Sequence, residues 1–444
     1  MLQKFFTISL TSLALTGCVS YQPWPLEAAE ELNHWPEAQR QIAEAHGLNL
    51  SDGLSFFEAQ TLGVWFNPEL VLKRAEAGIE RANADNAGLW EDPSLRLDGS
   101  KLLESADKPW SAALGIGLTI PIFGRLGLEK QVAEHRLNQA QLEVLAAEWS
   151  LQIELWQRWL TFDALRDRIA YHERYLELAE PLLARAKLLQ EAGQIPNTEE
   201  RHLRIRQALT EAQLATLKAE LAMLENRILA LVGIAPESEV RLDRASPPLP
   251  NPVAKEGWQY TLLRQSAALA IKRAAYRASE SQLELEVRKQ WPDLELSPFF
   301  ESDQGENSLG LGVSLRLPIW NRNQGRIAEA EASRAAAREA FVATLKQELW
   351  LLHQQEQQEF ETSKRAEGIE RQILPLVEEQ ILDLSRLAEL GQLDVMLVAE
   401  TLEERLDAQL ALRKAREEAQ QARLAQVATL GPAHKETTES KEQR

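Results

Sequence analysis

The chain of 444 residues contains one cysteine, Cys18, and seven histidines. These side chains are where chemistry would first be sought. A lone cysteine cannot close a disulfide within the chain or complete a cysteine-based metal site. Its setting gives it a different chemistry. Lys4, an apolar run from Phe5 to Leu15, and then Leu15-Thr16-Gly17-Cys18 form a short secretory leader, residues 1–17, that ends in a lipobox pattern. The resemblance to a lipobox implies that the thiol takes a diacylglycerol before the leader is removed. Each buried methylene contributes roughly 0.8 kcal/mol, so a multiply acylated Cys18 would anchor stably in a bilayer. Val19 follows the cysteine where an aspartate would retain a lipoprotein at the inner membrane, which favours export to the outer one.

The other reactive types are scattered. His34, His46, His135, His172, His202, His353 and His434 show no i, i+4 spacing on one helix, so no metal site is expected. Gly310-Leu311-Gly312 has the look of a dinucleotide loop but lies inside an alternating strand pattern. The acidic stretch Asp303 to Asn307 reads as a solvated hairpin loop. Neither a catalytic centre nor a cofactor is expected, and the chain is not read as an enzyme. A formal net charge of -18 argues against a nucleic-acid partner. After the leader no run of 18 apolar residues occurs, so membrane contact must use the lipid anchor, a barrel or an interfacial helix.

The elements that would position any site are repeated. Residues 67–97 and 266–296 align without a gap: Leu70 on Leu269, Lys73-Arg74-Ala75 on Lys272-Arg273-Ala274, Pro93 on Pro292, Leu97 on Leu296. Gly115 to Phe123 then lies on Gly312 to Trp320, Gly193-Gln194-Ile195 on Gly391-Gln392-Leu393, and Gly233 on Gly431. The offset stays between 197 and 199, too long for a solenoid, so the chain is one half-molecule used twice. Repeat 1 is assigned to 54–245 and repeat 2 to 246–431. An extended, lipidated segment, 18–53, precedes them, and a disordered tail, 432–444, follows.

Each repeat opens with a helix, Pro68 to about Glu91 in the first. Apolar and polar residues then alternate with period two, which marks strands at about 93–101, 112–120, 293–301 and 309–317. A long helical run from Leu128 to Ala192 returns after Gly193 to Val232, with Leu214, Leu217, Leu221, Leu224, Ile228 and Leu231 as a heptad seam. The second repeat runs from Gln324 to Leu390, turns at Gly391 and returns to Leu430. Two such helices joined by a tight turn must lie antiparallel.

Strands of about nine residues suit a tilted crossing of the hydrocarbon layer. Trp110, Phe123 and Trp320 fall at strand ends, where aromatic belts occur. Four strands cannot close a barrel, and open edges are not tolerated in lipid, so the chain must pool strands with copies of itself in a closed ring. The competing reading is a periplasmic coiled-coil structural lipoprotein without a pore. A duct would need detergent even without its acyl chains, whereas a scaffold would not.

Leu54-Ser-Phe-Phe-Glu-Ala59, Asn67-Pro-Glu-Leu70 and the strand-end motifs Pro121-Ile-Phe123 and Pro318-Ile-Trp320 resemble the TolC-like outer-membrane efflux proteins, over roughly 54–431. That resemblance implies a mainly α protein with a membrane β-barrel, built as a homotrimer with a 12-stranded barrel above an α-helical barrel. It implies a passive exit duct through outer-membrane lipid, working with a periplasmic adaptor (a membrane fusion protein) and an inner-membrane RND transporter. The turns Gly193, Gln194, Ile195 and Gly391, Gln392, Leu393 would then meet the adaptor. Asp394 and Glu400 fall nearest the place where some relatives constrict the pore, although Leu397 occupies one expected acidic position. Pro318-Ile-Trp-Asn-Arg-Asn-Gln-Gly325 resembles the cobalt-zinc-cadmium branch, which implies heavy-metal efflux; a multidrug or other solute duct is the alternative. The first copy carries Gly124-Arg-Leu-Gly127 there instead.

Overall fold

The computed structural model describes residues 20–50, 53–101, 110–236, 238, 240–243, 247–251, 254–303, 306–390, 392 and 394–432. Cys18, Gly391, Leu393 and the tail beyond 432 lie outside the described residues. The chain divides into two units, one ending at Leu48 and one beginning at Asn49.

The first unit holds helix α1, Ala28–Ala45. This corrects the expectation of an extended segment over 18–53. Tyr21, Pro23, Trp24 and Pro25 suit an extended chain, and the stretch 20–27 has no regular structure. Immediately after it, Ala28 and Ala29 are strong helix formers, and Glu30 and Glu31 occupy the first turn, where the helix dipole favours acids.

The second unit runs through the same pattern twice. The first pass is α2 Phe56–Phe66, α3 Pro68–Asp85, β1 Ser94–Lys101, β2 Trp110–Ile120, α4 Arg125–Glu191 and α5 Asn197–Val232. The second is α6 Trp258–Gln265, α7 Ala267–Arg288, β3 Leu294–Asp303, β4 Glu306–Leu315, α8 Gln324–Gly368, a π-turn Ile369–Ile373, α9 Leu374–Glu389 and α10 Val395–Leu430. With 67 residues, α4 is roughly 100 Å long. No helix among the described residues is long and apolar enough to cross a membrane.

The repeated motifs are corners of this architecture. Ser55 and Glu58 form a reciprocal capping box that starts α2. Asn67 caps α3 by accepting from the Leu70 N–H at 2.9 Å, with Pro68 at the first helical position. Its amide also donates to the Leu231 carbonyl at 2.8 Å, which ties the start of the pass to its end. Ser266 caps α7 in the same way. The repeated arginine has one job in both copies. Arg74 donates to the Val64 carbonyl, and Arg273 donates to the Leu263 carbonyl at 2.8 Å, each ten residues upstream. Glycine closes each pass. Gly233 and Gly431 have φ of +83° and +90°, and they press against the Phe66 and Gln265 carbonyls respectively.

Boundaries shift where backbone geometry intervenes. The first helix stops at Asp85, not Glu91, because Gly88 turns the chain at φ +70° and passes hard against the Leu126 carbonyl. The second-copy run that reads as one helix widens at the π-turn. Pro375 lacks the N–H that would bond to Arg371, and its ring would clash with that carbonyl in an α-turn. In contrast, α4 continues through Pro181. β4 spans Glu306–Leu315 where 309–317 was expected, because its pairing with β3 ends at Leu294 opposite Leu315.

The two repeats share their packing. On the α5 seam Leu217, Leu224 and Ile228 are buried. The two copies meet where α4 runs antiparallel to α10: Ile153 and Leu160 pack with Leu424 and Val427, Tyr175 with Leu402 and Leu406, and Ala186 with Val395. A carboxylate lies within this seam. Glu417 accepts from the Thr161 hydroxyl and the Gln421 amide, both at 3.1 Å. Burial pushes its carboxyl above the ordinary range, outweighing the Thr161 hydrogen bond and the positive charges of Arg413 and Arg168. A raised folded-state pKa stabilises below the unfolded pKa, and that contribution is lost as pH rises through the folded one. Glu417→Gln keeps an acceptor for Thr161. It should raise the melting temperature in detergent at neutral pH, and the gain should vanish below about pH 4, where the wild-type carboxyl is protonated in both states. An equal gain at both pH values would remove Glu417 as its cause.

Candidate functional site: sheet face, neck and helical tips

All four strands join one antiparallel sheet in the order β1-β2-β3-β4, so the copies are also stitched at the β2–β3 pair. Register decides which residues share a face, because directly opposed residues point the same way. Leu95 faces Ile116, Leu97 faces Leu114, Leu114 faces Phe300, Leu118 faces Leu296, Leu296 faces Val313, and Phe300 faces Leu309. Pro298, opposite Leu311, completes the set. The result is an apolar face continuous across the sheet and open to the surroundings: Leu97 is 73%, Leu309 85% and Leu311 63% exposed. The opposite face carries Arg96, Asp98, Glu295, Ser297, Glu301, Ser308 and Ser314 among glycines.

Phe299 departs from the alternation. It lies on the polar face, where its ring covers Gly310 and leaves no room there for a Cβ. Sequence pattern alone passes over it, since Phe299 and Phe300 both read as apolar. The glycine opposite was the available signal.

Aromatic residues mark both ends of the strands. Trp110 opens β2 with the Lys101 ammonium 5.1 Å from its ring centre. At the helical end, Pro121 stops β2, and Phe123 stacks near Trp291 with ring centres 5.4 Å apart. Pro318 and the 88% exposed Trp320 lie beyond the end of β4. Between these segments is an open cleft of about 630 Å³, lined by Glu91, Asp293, Lys289, Arg316, Trp320 and Asn321 among others. Arg125 crosses this neck. It pairs with Glu129 at 2.9 Å and with Glu91 and Asp293, each at 3.1 Å, and so joins the two segments that feed β1 and β3.

The far ends of the helices repeat a single turn. The Gly193 N–H donates to the Gln190 carbonyl and the Gln194 N–H to the Leu189 carbonyl, which is the double bond of a Schellman turn, with Gly193 at φ +71°. In the second copy, the Gln392 N–H reaches the Leu387 carbonyl at 3.0 Å in the same relation. Gln194 and Gln392 are exposed. Ile195 is half-buried and packs with Ala186, Leu203 and Val395, so it braces the tip more than it edges it. The two tips are thereby packed together: Val395 of the second lies on the hairpin of the first.

Asp394 has a role that the sequence reading did not give it. It caps α10, accepting from the Met396 and Leu397 N–H groups at 3.0 and 3.2 Å. Glu400 is exposed on the same helix. No group of three or more histidine, cysteine or acidic side chains gathers for a metal among the described residues.

Residues 58–234 match the family model described as outer membrane efflux protein. The cobalt-zinc-cadmium resistance protein CzcC of Cupriavidus metallidurans is 24% identical over 336 residues, 74% of this chain and 73% of that protein. Among solved structures, the outer-membrane channel OprN superposes with a TM-score of 0.73 at 18% identity, covering 85% of this chain and 90% of that one. VceC, the outer membrane protein of Vibrio cholerae, gives 0.69 at 18% identity, covering 92% of this chain and all of that one.

Proposed function

We propose that this chain, which has the TolC-like fold and matches the outer membrane efflux protein model over residues 58–234, is the exit duct of a tripartite pump for heavy-metal cations. As a channel of the outer membrane it is not an enzyme. The observation that carries the duct is the apolar face that runs unbroken across four strands, while both sheet edges, β1 and β4, pair with no further strand among the described residues. Such a sheet is stable in lipid only when its edges are closed. Three chains supply twelve strands, and cyclic symmetry closes them. The helices then continue the tube into the periplasm. Their exposed Gln194 and Gln392 tips offer the surface for a periplasmic adaptor, which connects the duct to an inner-membrane RND transporter.

Cys18 serves as the lipid anchor on this reading. Asp394 and Glu400 form the narrow end, where symmetry would gather their carboxylates into a cation-selective ring. The cargo assignment rests on the Asn321-Arg-Asn-Gln-Gly325 stretch and on the similarity to the cobalt-zinc-cadmium resistance protein CzcC.

Two measurements test the proposal. Deleting the gene should sensitise cells to cobalt, zinc or cadmium salts and leave drug tolerance unchanged; the reverse pattern would replace metals by drugs as cargo and keep the duct. Cys18→Ser protein should still require detergent, because the apolar sheet face remains. If it becomes freely soluble, the coiled-coil scaffold is the better reading.

A further inference from the structure

The two strand-to-helix corners of the neck are built differently, and the difference falls on the stretch where the copies disagree in sequence. Gly124 starts α4 and Asn323 starts α8, at matching positions and both left-handed, with φ of +74° and +62°. Asn323 has the one positive φ outside glycine among the described residues. Backbone need alone would be met by glycine, as it is in the first copy, where a Cβ on Gly124 would meet nothing within 4 Å.

The Asn323 side chain is engaged. Its Nδ2 donates at 2.8 Å to both the backbone carbonyl and the Oε2 of Glu286, near the end of α7. Glu286 is 4% exposed. Its Oε1 accepts from the Lys289 ammonium at 2.8 Å and from the Gln282 amide at 3.0 Å. Burial opposes its ionisation, but the hydrogen bonds from Lys289 and Asn323 and the charges of Lys289 and Arg326 hold the carboxyl below its ordinary range. The rest of the stretch folds onto itself: the Asn321 carboxamide oxygen accepts from the Asn323 N–H at 2.9 Å, and Arg322 donates to the Pro318 carbonyl at 3.3 Å. The first copy has Ala87 and Trp90 at the positions of Glu286 and Lys289, so it has no equivalent. Its corner has no side chain at Gly124 to fix it, and the neighbouring Arg125 pairs instead with Glu129, Asp293 and Glu91, the last of them more than half exposed.

We infer that Asn323 and Glu286 form a buried latch that sets the direction in which α8 leaves the sheet. Through it they position the neck segment Arg316 to Asn321, while the Gly124 corner is left free to yield. The inference rests on the duct reading only for what the corner joins. It makes the Asn-Arg-Asn-Gln stretch a positioning device and not a set of cation ligands.

Hydrogen exchange on the purified full-length protein in detergent tests it, comparing the amides of Ile327, Ala328 and Glu329 with those of Leu128, Glu129 and Lys130. Asn323→Asp keeps a residue type that tolerates the left-handed turn but removes the donor and faces Glu286 with a second carboxylate. It should speed exchange at 327–329 by about tenfold or more, since hydrogen bonds to charged groups are the stronger kind, and leave 128–130 within about twofold. Glu286→Gln keeps a neutral acceptor and should speed exchange at 327–329 by clearly less than Asn323→Asp does. The double variant Asn323→Asp with Glu286→Gln lets the new amide donate to the new carboxylate and should return 327–329 to near the wild-type rate. If Asn323→Asp leaves 327–329 unchanged, only the backbone matters and the latch is wrong. A rise shared equally by 128–130, or a double variant that fails to recover, overturns it as well. Wild-type protein that forms no channel in a planar bilayer would instead overturn the duct reading and leave the exchange result standing.

Discussion

Gly431→Ala is expected to abolish or severely reduce folded protein in the outer-membrane fraction, whereas Gly124→Ala is expected to cause only a mild loss. Both glycines have positive φ, +90° and +74°, so a simple rule about glycine would rank them together. Their surroundings separate them. Gly431 has ψ of 173°, which places it in a region that is essentially closed to other residues and costs them on the order of 1–3 kcal/mol. A Cβ there would also drive into the Gln265 carbonyl group and crowd the Ser266 nitrogen. Those are backbone atoms at the capped start of α7, and they cannot step aside without moving the α6–α7 corner. Gly233→Ala should be nearly as damaging, since it meets Phe66 in the same way at φ +83°. At Gly124 the added methyl meets nothing, which leaves only the left-handed backbone cost of roughly 1–2 kcal/mol. Membrane yield and protease resistance of the four proteins would read this. Equal losses at Gly124 and Gly431 would mean that the close approach to Gln265 is not what makes glycine necessary.

Leu114→Arg and Ala113→Arg are expected to give opposite results, although the residues are neighbours near the middle of β2. Leu114 belongs to the outward apolar face, between Leu97 and Phe300. An arginine there would meet hydrocarbon at a cost of roughly 2–4 kcal/mol per chain near the bilayer midplane. Ala113 lies on the polar face, directly between Asp98 and Glu301. An arginine there gains two opposite-charge neighbours, each contributing about 0.2–1 kcal/mol. The Ala113→Arg protein should therefore reach the membrane at wild-type levels and should lower single-channel preference for cations, while Leu114→Arg protein should be lost. If both assemble equally well, the outward face is not in lipid.

These contrasts mark what could be read from residue order and what could not. The strand faces were legible because period two survives any context: Leu95, Leu97, Leu114 and Leu118 stay on one side whatever the sheet packs against. The closing glycines and the tips were legible because only a few residue types serve a left-handed turn. Partners far apart in the chain were not. That Arg74 and Arg273 hold carbonyls at Val64 and Leu263, or that Asn323 reaches Glu286 across 37 positions, depends on a corner that exists only after folding. The π-turn before Leu374 escaped for a similar reason. Pro375 could have ended the helix, kinked it or widened one turn, and periodicity does not choose among the three. Asp394 drew attention as a charge, yet its oxygen caps α10. A short acidic side chain ahead of Val395 is itself a start signal for a helix, and that reading was available from the same residue.

The sheet order and the α4–α10 seam also bear on ancestry. Neighbouring repeats are joined twice within one chain, once where β2 pairs with β3 and once along the helices, where Ile153 and Leu160 meet Leu424 and Val427. A half-length chain would therefore lack both of these joints. A single-repeat polypeptide would present two strands with both flanks bare, and six of them would be needed for the ring that three chains supply in the proposed trimer. Fusion would have turned half of those meetings between separate molecules into meetings within one. Within one chain the two necks need not match: one has a glycine at its corner, and the other has an asparagine held against a buried glutamate.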